Sequence, residues 1–401
     1  MKILFLCNKS PFPPREGGPI AMNNLIEGMV NAGHEVKVLA INSNKYSVKK
    51  EEIPEDYQIK TKIEHVYIDL SIKPLDATLN LFSNKSFHAQ RFISKELDNK
   101  LTSILQKDNY DVVQLETLFM GCYIPCIRKN SNARIILRAH NIEHLIWKRI
   151  TNSCSNPLKK LYLNHLTKTL ANFEKNIIQN VDGIAAITKE DAKFFLKHSQ
   201  TPTIDISFGL NLIKFNPKIK PSEFPGIFHL GSMNWIPNQE GIKWFLDEVW
   251  PLVIKQKPDC IIHLAGREMP KWLLDLNHPN IKVIGEVENA QEFVQSKSIC
   301  VVPLLSGSGI RIKIIEAMAQ GKAVISTSIG AEGINVKNQK NIFIADNAKD
   351  FADAIIHLTE NQSKCMKLGE NARTLIEEDH NSDVIIPKLI SFYNNLITQK
   401  N

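Results

Sequence analysis

Two doubly wound α/β domains in series, each a parallel sheet between layers of helices, are the fold that this 401-residue sequence predicts. Short apolar runs alternate with helix-length segments from the first residues onward. Those runs are continuously apolar rather than alternating, so both faces of each strand are covered, as in a parallel sheet with helices on either side. The pattern lapses once, over 207–226, and then restarts, which separates two units of similar construction.

Ile3 to Cys7 reads as a buried strand, followed by a Pro/Gly-rich loop from Pro11 to Pro19. A helix from about Ile20 to Asn31 places Ile20, Met22, Leu25, Ile26 and Met29 on its apolar positions and stops at Gly33. Strands follow at Val36 to Ala40, Val112 to Leu115 and Arg134 to Leu137, then a long helix near Pro157 to Gln179 and a strand at Gly183 to Ile187. The lapse holds Pro217, Pro221 and Pro225 with Lys214, Lys218 and Lys220, a composition that suits an interdomain linker. Beyond it come a strand at Gly226 to Leu230, a helix at Asn238 to Lys255, and strands at Cys260 to Ala265, Ile281 to Ile284 and Ile299 to Val302. A helix near Ile310 to Gln320 and a strand at Ala323 to Ser326 complete the pattern. The expected division is 1–206, a linker over 207–226, and a second domain over 227–382.

Composition narrows the class. Hydrophobic residues are 43% and charged residues 23%, which excludes disordered and fibrous chains. No apolar run approaches the length of a transmembrane helix, and the N-terminal apolar stretch gives way to Asn8, Lys9 and Ser10 too soon for a signal peptide. Seven scattered cysteines fit reduced thiols, and a cytoplasmic location is the expectation. The net charge of +7 permits an anionic partner without naming one.

The segment Pro303 to Glu316 carries the richest chemistry. A strand ends near Pro303, Ser306-Gly307-Ser308-Gly309 forms a loop, and a helix begins near Ile310. Glycines let backbone N–H groups approach a ligand, and a helix start adds unpaired N–H groups and a positive dipole end. Arg311 and Lys313, expected just inside that helix, add two cations and make a cradle for a diphosphate. Glu316 follows on the same helix, among apolar neighbours, where a carboxylate can accept paired hydrogen bonds from the vicinal diol of a ribose.

These residues, continuing through Ala317-Met318-Ala319-Gln320-Gly321-Lys322 and Ser326 to Gly333, resemble the donor-site signature of glycosyltransferase family 4. The resemblance extends over most of the chain: Gly17-Gly18 after the first strand, Ala32 to Val36, Gly231-Ser232-Met233-Asn234-Trp235-Ile236-Pro237-Asn238, and Ala265-Gly266-Arg267. It implies the GT-B fold, with two Rossmann-like domains facing across a cleft, the second binding a nucleotide sugar. It implies a retaining transfer of a sugar to an acceptor hydroxyl, with no catalytic metal or cofactor. Donor contacts would come from Gly231, Asn234, Gly307, Ser308, Gly309, Ile310 and Glu316, and the diphosphate would meet Arg311 and Lys313. On the acceptor side the resemblance implies a loop at Glu16, Gly17 and Gly18, together with Arg138, and places His140 beside the reacting sugar. It also implies that the final helix, about 383–401, completes the first domain.

Two departures stand out. The family's first glutamate of the donor motif is replaced by Ser308, while Glu316 matches the second. The Ser232 to Asn238 loop also lacks the Arg and Lys that many members place there. UDP-sugars are the first expectation for the donor and GDP-sugars the second. The acceptor would be a glycan or lipid-linked sugar, in cell-surface polysaccharide or glycoconjugate synthesis.

Other readings compete. His140-Asn141-Ile142-Glu143-His144 spells the inverted zinc-peptidase motif, which needs both histidines one turn apart on a helix and a third ligand. A nucleotide-sugar epimerase on the same fold would need no acceptor. The acid-free stretch from Lys148 to Ala171 reads as a basic amphipathic helix that could touch anionic lipid at the inner face of a membrane. Nucleic acid is not expected, because no aromatic platform accompanies those charges.

Overall fold

A computed structural model describes residues 1–15, 17–72, 80–81, 83–215, 223–307 and 309–399. The chain divides into two compact units: Met1–Gly209 with Ser382–Asn401, and Leu210–Asn381.

The first unit contains a seven-stranded parallel sheet in the order β3-β2-β1-β4-β5-β6-β7. Its strands are β1 (Lys2–Cys7), β2 (Glu35–Ser43), β3 (Glu64–Ile68), β4 (Val112–Glu116), β5 (Arg134–Ala139), β6 (Gly183–Ala186) and β7 (Thr203–Asp205). The second unit contains six parallel strands in the order β10-β9-β8-β11-β12-β13. These are β8 (Ile227–Leu230), β9 (Ile262–Ala265), β10 (Ile281–Gly285), β11 (Ile299–Val302), β12 (Ala323–Ser326) and β13 (Phe343–Ile344). Both sheets reverse their winding beside their first strand, between β1 and β4 and between β8 and β11. At such a switch point the loops leaving the carboxyl ends part company and leave room for a ligand.

The continuous apolar strands are explained by the layers they support. Leu4, Leu6, Val113 and Leu115 face one side of the first sheet, while Ile3, Phe5, Cys7 and Val112 face the other. The second face packs against the helices Gly17–Asn31 and Ser382–Thr398, the latter burying Ile385, Ile386, Leu389, Tyr393 and Leu396. A separate core built on Ile227, Ile262, Leu264, Ile299 and Val301 holds the second unit.

Several elements differ from the sequence pattern. The helix expected over Asn238 to Lys255 is Ile236–Trp244, a π-helical turn at Phe245–Val249, and Trp250–Gln256. Pro251 has no amide hydrogen to continue the regular ladder, so the preceding turn widens. The basic stretch 148–171 is not one helix. It spans the end of Glu143–Ser153 and the start of Pro157–Asn180, where Asn156 caps the amide of Lys159. Of the stretch 207–226, residues 216–222 lie outside the described residues. Residues 207–209 belong to the first unit, and the described residues from Leu210 onward to the second, where the Leu210 amide donates to the His380 carbonyl at 2.7 Å and Leu212–Lys214 forms a 3₁₀ turn.

Candidate active site

The residues expected to contact the donor lie beyond the carboxyl ends of β8 and β11. The helix after β11 runs Ile312–Ala319, so Arg311 is its N-cap, in an extended conformation, rather than a residue inside it. Gly307 and Gly309 take φ of +119° and +80°, values that side-chain-bearing residues rarely adopt. A Cβ on Gly307 would also lie 3.0 Å from the Trp235 ring. Ser308 lies outside the described residues, and Ile310 sits half-buried in the loop.

Lys313 reaches from the first turn of this helix back toward β8. Its ammonium donates to Asn238 Oδ1 at 2.8 Å and lies 3.4 Å from His229 Nε2. His229 is buried on β8, with Nδ1 2.8 Å from the Val301 carbonyl. A carbonyl can only accept, so Nδ1 carries the proton and Nε2 offers its lone pair to Lys313. Burial, and then the charge of Lys313, hold the imidazole well below its ordinary pKa. The partners of Lys313 are thus neutral, and no carboxylate among the described residues lies in salt-bridge range of it. Burial lowers its pKa to about 7, with Cys300 opposing and Arg311 reinforcing the shift. A shielded cation without a counter-charge is suited to an incoming anion.

Two glycines make this placement possible. A Cβ at Gly231 would stand 2.5 Å from Lys313 Nζ and 3.0 Å from His229 Nε2. A Cβ at Gly266 would fall 1.8 Å from the Gly231 carbonyl oxygen. Arg311 is buried, with its guanidinium 5.4 Å from the centre of the Trp235 ring, and it donates to the Gly309 carbonyl. Burial lowers its pKa, and the charge of Glu332 offsets part of that.

Glu316 lies one turn beyond Lys313. Burial alone raises its pKa to about 7. Its carboxylate has no hydrogen-bond partner among the described residues, which leaves both oxygens available for a diol. Asn234 is engaged by its own loop and by the segment after β9, accepting from Ser232 Oγ at 3.0 Å and donating to Glu268 Oε1 at 3.0 Å.

In the first unit, Glu116 ends β4 beside Cys7 on β1 and Arg138 on β5. His140 follows β5, and its Nε2 lies 2.7 Å from Glu116 Oε2. Arg138 is a strand residue, not part of a loop, and its buried guanidinium is used on main-chain carbonyls. It donates to Ala185, Ala186 and Ser207 at 3.3, 3.4 and 3.2 Å, and to Ile206. Gly17 and Gly18 open the first helix rather than forming a free loop, and Glu16 lies outside the described residues. A Cβ on Gly18 would meet Lys9 Cε at 3.1 Å.

The two histidines of the zinc-type motif do not share a helix. His140 precedes the helix Glu143–Ser153, and each imidazole has its own carboxylate partner, Glu116 for His140 and Glu174 for His144. Among the described residues no group of three or more His, Cys, Asp and Glu side chains could hold a metal ion. His229, Trp235 and Asn238 were not picked out as contacts from the sequence. A buried strand histidine looks like any core position, whereas Trp235 in a polar Gly-Ser-Met-Asn loop was a usable signal.

Comparison with known proteins gives this geometry a class. Residues 224–361 match the family model described as "Glycosyl transferases group 1". The chain is 24% identical to an "uncharacterized 44.6 kDa protein in cps region" of Klebsiella pneumoniae, over 97% of this chain and 98% of that one. Sucrose-phosphate synthase from Thermosynechococcus elongatus superposes with a TM-score of 0.71 at 16% identity, over 100% of both chains. HepE of Anabaena, solved in complex with UDP, superposes with a TM-score of 0.67 at 15% identity, over 98% of this chain and 100% of that one. The two parallel-sheet domains are those of the GT-B fold. With a group 1 glycosyltransferase domain in its second unit, the protein is a glycosyltransferase.

Proposed function

We propose that this glycosyltransferase is a retaining enzyme of the family 4 type, moving a hexose from a nucleotide sugar to a hydroxyl of a glycan or lipid-linked acceptor. The observation that carries the proposal is Lys313, a shielded cation with only neutral partners, set behind Gly231 at a helix start. That arrangement suits a diphosphate. UDP-sugars come first and GDP-sugars second, a preference supported by the UDP bound to the HepE neighbour. The cps-region relative supports a role in surface polysaccharide synthesis.

In the proposed reaction the bond between the sugar C1 and the diphosphate oxygen breaks, and the acceptor oxygen bonds to C1. The acceptor proton passes to the departing phosphate. Arg311, Lys313 and the N–H groups of the helix start stabilise the growing negative charge, so no metal is needed. Gly307, Gly309 and Ile310 border the donor, Glu316 holds its ribose, and His140 stands beside the transferred sugar. A cytoplasmic enzyme at the membrane surface fits a lipid-linked acceptor. Ile150, Leu158 and Leu161 are exposed beside exposed Lys148, Arg149 and Lys159, a surface suited to anionic lipid. No helix among the described residues is long and apolar enough to cross a membrane.

The testing experiment is a thermal-shift panel of UDP, GDP, ADP and their sugars, followed by product analysis with the donor that stabilises the protein. A ligand at 100 times its Kd adds about 2.7 kcal/mol. Stabilisation by a nucleoside diphosphate and anomeric retention in the product support the reading. Indifference to every nucleotide contradicts it.

A further inference from the structure

The apolar face that the C-terminal helix lays on the first sheet contains one polar chain. Tyr393, on the helix Ser382–Thr398, donates its hydroxyl to Gln114 Oε1. Gln114 Nε2 donates to Glu116 Oε1 at 2.5 Å, and the other carboxylate oxygen of Glu116 meets His140 Nε2 at 2.7 Å. Tyr393, Gln114 and Glu116 are all at most 1% exposed. Around them lie Phe5, Cys7, Val112, Ile136 and Leu389.

Burying three polar side chains among such neighbours costs free energy that their hydrogen bonds offset at best. A leucine at 114 and a phenylalanine at 393 would suit the same core. The chain is also directional. An ionised Glu116 can only accept, so the Gln114 amide must turn its NH₂ toward it and its carbonyl toward Tyr393. The tyrosine must then donate, and burial holds its pKa well above the ordinary value, keeping the proton in place. At the other end Glu116 accepts from His140, which places a proton on Nε2. The charge of Arg138 acts on both Glu116 and Tyr393 and balances the carboxylate.

We propose that Gln114 and Tyr393 are positioning residues, a relay that sets the orientation and tautomer of His140 from the C-terminal helix. This rests on the reading of His140 as a residue beside the reacting sugar. It adds that the last helix of the chain works on the histidine through two buried side chains rather than serving only as packing.

The test combines steady-state kinetics with ¹⁵N NMR of the imidazoles, on Tyr393→Phe, the apolar pair Gln114→Leu with Tyr393→Phe, and His140→Ala, which assigns the signal. Tyr393→Phe leaves Gln114 Oε1 without its buried donor, so the thermal midpoint should fall modestly, and the kinetics are read well below it. The substitution should lower kcat by about 10-fold to 100-fold, the scale of losing an outer hydrogen-bond partner, with the donor KM unchanged. The His140 signal should shift from the pure Nε2–H form toward a mixture of tautomers, and the pair should do the same if the single variant folds poorly. Wild-type kcat and an unchanged tautomer in both variants would overturn the relay. If His140→Ala turns over normally, the role of His140 itself fails, and the tautomer measurement still decides separately whether the relay exists.

Discussion

Lys313, in the first turn of the helix Ile312–Ala319, and Asn238, in the first turn of the helix Ile236–Trp244, meet at 2.8 Å. An amide oxygen is a neutral acceptor. It orients the ammonium without cancelling its charge, and the charge stays available for a diphosphate. On the proposed reading, this contact compensates for the absence of the family's basic pair from the Ser232 to Asn238 segment. The cation comes from the helix Ile312–Ala319, and Asn238 on the helix Ile236–Trp244 supplies the amide that aims it.

The pKa values of Lys313 and Glu316, both about 7, predict proton linkage that changes sign. Above pH 7 the free Lys313 is largely neutral, so binding a nucleotide sugar must take up a proton, and affinity falls as pH rises. Below pH 7 the free Glu316 is largely protonated, so accepting a diol must release a proton, and affinity falls as pH drops. Calorimetry in buffers of different ionisation enthalpy should show uptake near pH 8, release near pH 6 and strongest binding near 7. Glu316→Gln should abolish the release alone.

Gly231→Ala should mimic partial loss of Lys313. Its new methyl would stand 2.5 Å from the ammonium, which must move away from Asn238. The expected result in a kinetic comparison is a kcat lowered toward that of Lys313→Ala, about 10² to 10³ below wild type, with nucleoside affinity retained. Arg311→Ala should fall in the same range.

Arg138→Met should act on stability rather than on acceptor use. Four main-chain carbonyls lose their buried donor, and Glu116 loses a nearby positive charge. Removing one partner from such a buried charged network costs about 3–5 kcal/mol. Denaturant unfolding should record that loss, while whatever protein remains folded keeps its acceptor KM.

Chelator treatment should leave turnover essentially unchanged, because the proposed charge stabilisation uses Arg311, Lys313 and main-chain N–H groups. Loss of turnover on treatment with EDTA, restored by a divalent ion, would count against that assignment.

Much of the fold was legible because buried parallel strands leave continuous apolar runs such as Ile3 to Cys7 and Ile299 to Val302. Strands β3, β7 and β13 were missed, being short strands at sheet edges: β3 is buried only in part, and no residue of β7 or β13 is fully buried. The Gly-Ser-Gly-Ile-Arg-Ile-Lys segment stood out as a candidate phosphate site because such chemistry is written locally, in glycines and cations at a helix start. The link from Tyr393 to His140 was invisible for the opposite reason. Its members lie on β4, after β5 and on the last helix, and a buried tyrosine or glutamine in an apolar run carries no mark of its partner.

The most direct measurement is calorimetric titration of the stabilising nucleoside diphosphate and its bare nucleoside into the unaltered protein, Lys313→Ala and Glu316→Ala. The free diphosphate carries the negative charge that develops as the glycosidic bond breaks, so it reports on transition-state contacts better than the intact donor does. Lys313→Ala should bind the nucleoside as before and the diphosphate far more weakly, while Glu316→Ala should weaken both. Undiminished diphosphate affinity in Lys313→Ala would contradict the assignment of this buried lysine to the donor diphosphate.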